Sequence, residues 1–126
     1  MIVKIYGEMH NKSRDIDRIR RLVLEQEPDI ILHEMYEDDK EFYEDYDVEY
    51  VPLEPTFPSP RFDIRELVMT IEILKAMIEY KNIAVVVGDT HIRSQPVDDL
   101  GNSLIRSKLG KYKCIGFIRS PYSEVV

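Results

Sequence analysis

Two histidines in this chain each stand three residues after a glycine, in Gly7-Glu8-Met9-His10 and Gly88-Asp89-Thr90-His91. Each motif follows a short apolar run, residues 2–6 and 83–87. Imidazoles delivered to strand ends beside carboxylates suit two kinds of chemistry. Two histidines and a carboxylate around a divalent cation make a hydrolytic metal site with an open position. The same groups without a metal serve as a general base and its orienting acid. The carboxylate is expected from Glu34, which ends the run Ile30-Ile31-Leu32-His33. His10, Glu34 and His91 are therefore the expected metal ligands and, with Glu8, the expected catalytic core. Arg93 is expected to polarise a carbonyl. Arg119 is a second candidate for an anionic group, and either arginine is also a structural partner for Glu34. Asp89 reads equally as turn chemistry. His33 precedes Glu34 and so points to the other face of its strand, as a packed core histidine.

The elements must bring these groups together. In an open α/β sheet, ligands bind beyond the carboxyl ends of the strands, and the polar residues above cluster there. Gly7 and Gly88 are expected to turn the chain through φ values closed to other residues. Convergence on one crevice requires neighbouring strands, with the first strand expected between the second and the 83–87 strand. The periodicity predicts strands at 2–6, 29–33, 50–53, 83–87 and 113–118. Pro52 puts the third at an edge, and the 83–87 run, apolar on both faces, suits a central strand. Helices are predicted from Ser13, as N-cap, to about Gln26, with Asp15 and Asp17 in the first turn. Others are predicted over 62–81 and 100–109. The 62–81 helix is expected to bury Ile64, Leu67, Val68, Ile71, Leu74 and Ile78. Residues 37–49 read as an acidic, solvated excursion with a helical turn, or as an acidic lip that attracts a cationic ligand or partner, and Pro55, Pro58 and Pro60 as an extended loop. Alternating strands and helices make this a three-layer α/β/α sandwich with a mainly parallel sheet of four or five strands.

The 126 residues fit one domain, 1–126, able to bury a core without disulfide or structural metal. The formal charge of −7 argues against nucleic acid or an anionic membrane as partner. No stretch approaches the roughly 20 apolar residues of a membrane span, and the opening residues are too few for a signal peptide. The expected setting is cytoplasmic. Cys114 is the single cysteine, which excludes an internal disulfide and a cysteine-based zinc site. It reads as a small buried hydrophobe.

Gly7-Glu8-Met9-His10 after the first strand, Glu34-Met35 after Ile-Ile-Leu-His, and Gly88-Asp89-Thr90-His91 after Val-Val-Val together carry a resemblance. The chain resembles the superfamily of TraB/PrgY-like proteins, Tiki peptidases, erythromycin esterases and ChaN-like haem-binding proteins. The resemblance spans residues 2–93 and implies a functional core of His10, Glu34 and His91 with Glu8 beside them. Family members usually carry a long helical insertion that roofs the pocket. Here the interval holds only the acidic stretch, the prolines and one helix. A homodimer that completes the pocket, a large substrate on an open crevice, or a loss of catalysis would each follow.

Three functions are carried forward. The first is a hydrolase of peptide or ester bonds acting on a small-molecule or peptide substrate, with a divalent metal as cofactor or a histidine as base. The second is a binding module without turnover for haem, metal or peptide, with Met9, Met35 and Tyr36 lining an apolar pocket. A metallophosphoesterase ranks third, because the chain lacks the Asn-His pair that such sites use.

Overall fold

The computed structural model describes residues 1–54 and 60–123. Pro55 and Pro58 of the expected loop lie outside the described residues. Five strands form one sheet: β1 (Ile2–Glu8), β2 (Ile30–His33), β3 (Glu49–Pro52), β4 (Asn82–Gly88) and β5 (Ile115–Ile118). Four helices accompany them: α1 (Ser13–Gln26), α2 (Tyr36–Tyr43), α3 (Phe62–Glu79) and α4 (Leu104–Leu109). Every strand pairing is parallel, in the order β3-β2-β4-β1-β5. The fold is thus a three-layer α/β/α sandwich. The centre is corrected, since β4, not β1, lies between the other two site-bearing strands. All five interior residues of β4 are buried, as its β-branched run on both faces requires. β3, with Pro52 at its end, is an edge strand.

Strand alternation sorts the side chains into two cores. Val3, Ile5, Leu32, Ile83, Val85 and Val87 pack on one face with Met69 and Ile73 of α3 and Ile105 and Leu109 of α4. Tyr6, Ile31, Ala84 and Val86 pack on the other with Ile19 and Val23 of α1 and Tyr43 of α2. The same alternation sends Glu8 and His33 toward α1 and α2. Glu34, one residue on, turns toward α3. Cys114 is half-buried against the α3 side. Among the described residues no helix is long and apolar enough to cross a membrane.

Two local expectations change. Lys12, not Ser13, is the N-cap of α1, and no side chain caps that end. Asp15 instead reaches back to accept the Met9 N–H at 2.7 Å, with Arg18 and the Ser120 hydroxyl on the same carboxylate. This fixes the loop that carries His10. The second change is the rotation of α3. Its buried stripe is Glu66, Met69, Thr70, Ile73 and Ala76, whereas Ile64, Leu67, Ile71 and Ile78 are exposed, Ile78 at 84%. The helix turns this way because a buried carboxylate at Glu66 finds partners on β4's loop and on α4.

Candidate functional site

Three adjacent strands, β2, β4 and β1, deliver Glu34, His91 and His10 to the same end of the sheet. Glu34 stands at the centre. Its Oε1 accepts the Gly88 N–H at 2.7 Å, and Arg65 Nη2 lies 2.6 Å from its Oε2. His91 Nε2 lies 3.1 Å from Oε2, and His10 Nε2 lies 3.5 Å from Oε1, an ion-pair distance without hydrogen-bond alignment. That His10 nitrogen is buried and has no hydrogen-bond partner among the described residues. Each imidazole is held from behind by a second carboxylate. His10 Nδ1 meets Glu8 Oε1 at 2.8 Å, and His91 Nδ1 meets Glu66 Oε2 at 3.1 Å. The Phe62 ring stacks on His91, 4.3 Å away and 14° from parallel. Acid and imidazole therefore alternate across the sheet end as Glu8, His10, Glu34, His91 and Glu66.

The glycines serve this packing by lacking a side chain, not by unusual φ. Neither Gly7 nor Gly88 has positive φ; among the described glycines only Gly101 does. A Cβ on Gly88 would lie 3.2 Å from His10 Nε2 and 3.4 Å from Glu34 Oε1. One on Gly7 would run into the Asp89 carboxylate and lie 3.0 Å from the Asp89 Cα.

The charges are mutually sustained. Burial opposes an imidazolium at His10, but the Glu34 and Glu8 carboxylates outweigh it and push its pKa up to about 9. His91 is raised for the same reason, burial being overcome by Glu34 and Glu66. Burial alone would raise Glu34, yet His10, His91 and the Gly88 N–H hold it well below the usual carboxylate range. Each imidazole is thus turned toward Glu34 at one nitrogen and anchored by a second carboxylate at the other. A divalent cation here would have to displace the protons that the carboxylates hold on the two imidazoles. The orphaned His10 Nε2 is the atom that a cation would satisfy.

A second cluster lies behind it. Glu8, His33 and Asp39, all buried, offer ligand atoms within 4.8 Å of one another, a spacing consistent with a metal site. His33 is where alternation places it, fully buried on the α1 side, but in company that the sequence reading did not foresee. Its Nδ1 accepts the Met35 N–H at 3.0 Å, so the ring proton sits on Nε2, 3.1 Å from Asp39 Oδ2. Arg20 takes the other Asp39 oxygen at 2.7 Å. Bonded this way, His33 is a donor to Asp39.

The remaining expected residues stand apart from the crevice. Arg93 is 2% exposed and donates to Glu66 and to the carbonyls of Thr90, Leu100, Gly101 and Asn102. With its guanidinium engaged in this way, it braces the His91 loop. Asp89 accepts from Arg119 and from the Ser120 N–H, which ties the segment after β5 to the second motif. Arg65, Glu66 and Glu54 were missed. Arg65 bridges Glu34 to Glu54 and is partly exposed. No local signal marks Arg65 or Glu66, since α3 also carries Asp63, Glu72, Lys75 and Glu79.

Beside Glu34 opens a cleft of about 340 Å³ lined by Met35, Tyr36, Glu37, Asp38, Pro52 and Glu54. The acidic residues of α2 thus form one wall of an opening next to the central carboxylate. No protein-family model, curated protein or solved structure matches the chain, so its reading rests on these residues.

Proposed function

We propose that the chain is a metal-dependent hydrolase of peptide or ester bonds, of the kind that the paired Gly-x-x-His resemblance implies. The observation that carries the reading is the convergence of both motif histidines, through Nε2, on the one carboxylate of Glu34. His10, Glu34 and His91 would hold the cation, a donor set that fits zinc, manganese, iron or cobalt. A divalent cation there supplies a Lewis acid. The chain's own residues do the rest. Glu8 and Glu66 orient the two imidazoles, and the Gly88 N–H orients Glu34. Arg65, the cation at the partly open side of Glu34, takes the carbonyl-polarising role expected of Arg93. The cleft lined by Tyr36 and Pro52 offers a substrate an apolar wall, and Glu37 and Asp38 give it an acidic rim.

The test is hydrolysis of activated esters and short peptides by protein loaded with zinc or manganese. Activity abolished by Glu34→Gln and by His91→Ala, in variants that remain folded, supports the reading. Activity unaffected by either variant refutes it. A second reading, a binding module without turnover, is favoured by one observation: Arg65 already pairs with Glu34 at 2.6 Å and narrows access to it. Stoichiometric metal uptake without hydrolysis of any substrate tried would select that reading.

A further inference from the structure

Glu66 is the least expected residue near the crevice. It is fully buried in the second turn of α3, and an ionised carboxylate there is costly unless it is paired and hydrogen-bonded. Its Oε2 meets Arg93 Nη1 at 2.7 Å and His91 Nδ1 at 3.1 Å, while Oε1 accepts the Leu104 N–H at 2.9 Å. These partners hold its pKa down against the effect of burial. Arg93 is in turn fixed by four backbone carbonyls, so the carboxylate has one place to be.

The consequence falls on His91. An ionised carboxylate only accepts hydrogen bonds, so the His91 nitrogen facing Glu66 must carry a proton. Glu34 faces Nε2 at 3.1 Å, so in the metal-free chain that nitrogen carries a proton as well. It is the proton that a cation at Glu34 displaces, while Glu66 keeps the one on Nδ1. Stacking on Phe62 fixes the ring plane, and the Ser103 hydroxyl donates to the His91 carbonyl and holds its backbone. On the far side of Glu34, Glu8 faces His10 Nδ1 in the same way.

We propose that Glu66 is the positioning residue of His91, fixing its tautomer and direction and so setting the crevice's affinity for a divalent cation, with Glu8 serving His10. The inference rests on the cation reading of the same site. Neither carboxylate is needed in this role if Glu66 only neutralises Arg93 and Glu8 only fills the α1 side of the sheet.

The experiment is a zinc titration by calorimetry with a competing chelator, on wild type, Glu66→Gln and Glu8→Gln. It is joined by ring nitrogen NMR of the metal-free proteins, recorded at a pH above the histidine titrations. Affinity is expected to fall about 10- to 100-fold in each variant, the effect of removing an orienting carboxylate. The wild-type His91 is expected as the Nδ1–H tautomer, and Glu66→Gln is expected to mix the two tautomers. Glu8 is paired with His10 rather than with a buried arginine like Arg93, so Glu8→Gln stays informative if Glu66→Gln fails to fold. Wild-type zinc affinity in both variants overturns the proposal. A wild-type His91 protonated at Nε2 alone also overturns it. Should wild type bind no zinc, the cation reading falls by itself, and the His91 tautomer still decides whether Glu66 positions the ring.

Discussion

Replacing His10 by asparagine is expected to flatten part of the chain's stability profile on the alkaline side. His10 lies between Glu8 and Glu34, and its side chain keeps 29% exposure. These carboxylates overcome the burial penalty and raise its pKa from 6.5 to about 9. The folded state therefore holds this proton more tightly than the unfolded chain does. The sign follows from linkage. The stabilisation is complete below pH 6.5, declines as pH rises, and is gone once pH passes about 9. The interval corresponds to about 3 kcal/mol. Urea unfolding of wild type and His10→Asn, measured at about pH 6 and about pH 10, gives the comparison. Wild type is expected to lose about 3 kcal/mol relative to the variant over that range. Parallel profiles for the two proteins would refute the placement of His10 between the Glu8 and Glu34 carboxylates.

Other outcomes follow from the packing. Gly88→Ala sets a methyl 3.2 Å from His10 Nε2 and 3.4 Å from Glu34 Oε1. It should weaken zinc binding at least tenfold while costing about 1 kcal/mol of stability, as measured by calorimetry and thermal melting. Gly7→Ala meets the Asp89 backbone as well as its carboxylate and should cost more, about 1–3 kcal/mol in urea unfolding. On α3, Ile73→Ala should cost about 2–5 kcal/mol, whereas Ile71→Ala, at an exposed position, should stay within about 1 kcal/mol. Arg93→Met leaves the Glu66 carboxylate without its buried cation and should destabilise by about 3–5 kcal/mol, read from the denaturation midpoint.

The strand framework was legible because β1, β2 and β4 are short apolar runs bounded by glycine or a charged residue. A run such as Ala84-Val85-Val86-Val87 satisfies only a strand buried on both faces. Strand order was not legible, since the motifs report strand ends and not neighbours. The α3 face was misread for a physical reason. Ile64, Leu67, Ile71, Leu74 and Ile78 make the more regular stripe, while the buried stripe contains Glu66 and Thr70. The burial of Glu66 depends on His91, Arg93 and Leu104, which lie 25 residues or more along the chain. No local pattern carries that information. The same holds for Arg65, whose partner Glu34 is 31 residues away. The motif glycines were recognised for the wrong property. Their spacing pointed to the site, but the need is for space against Asp89, His10 and Glu34, which only the packed structure reveals.

The central claim is that His10, Glu34 and His91 meet at one cation, and metal content tests it most directly. Wild type and the His10→Ala, Glu34→Ala, His91→Ala and His33→Ala variants would be equilibrated with excess zinc, freed of unbound metal and assayed by elemental analysis. About one ion per chain is expected in wild type and His33→Ala, and none in the other three. An ion that survives in His91→Ala but is lost in His33→Ala would contradict the claim and move the cation to Glu8, His33 and Asp39.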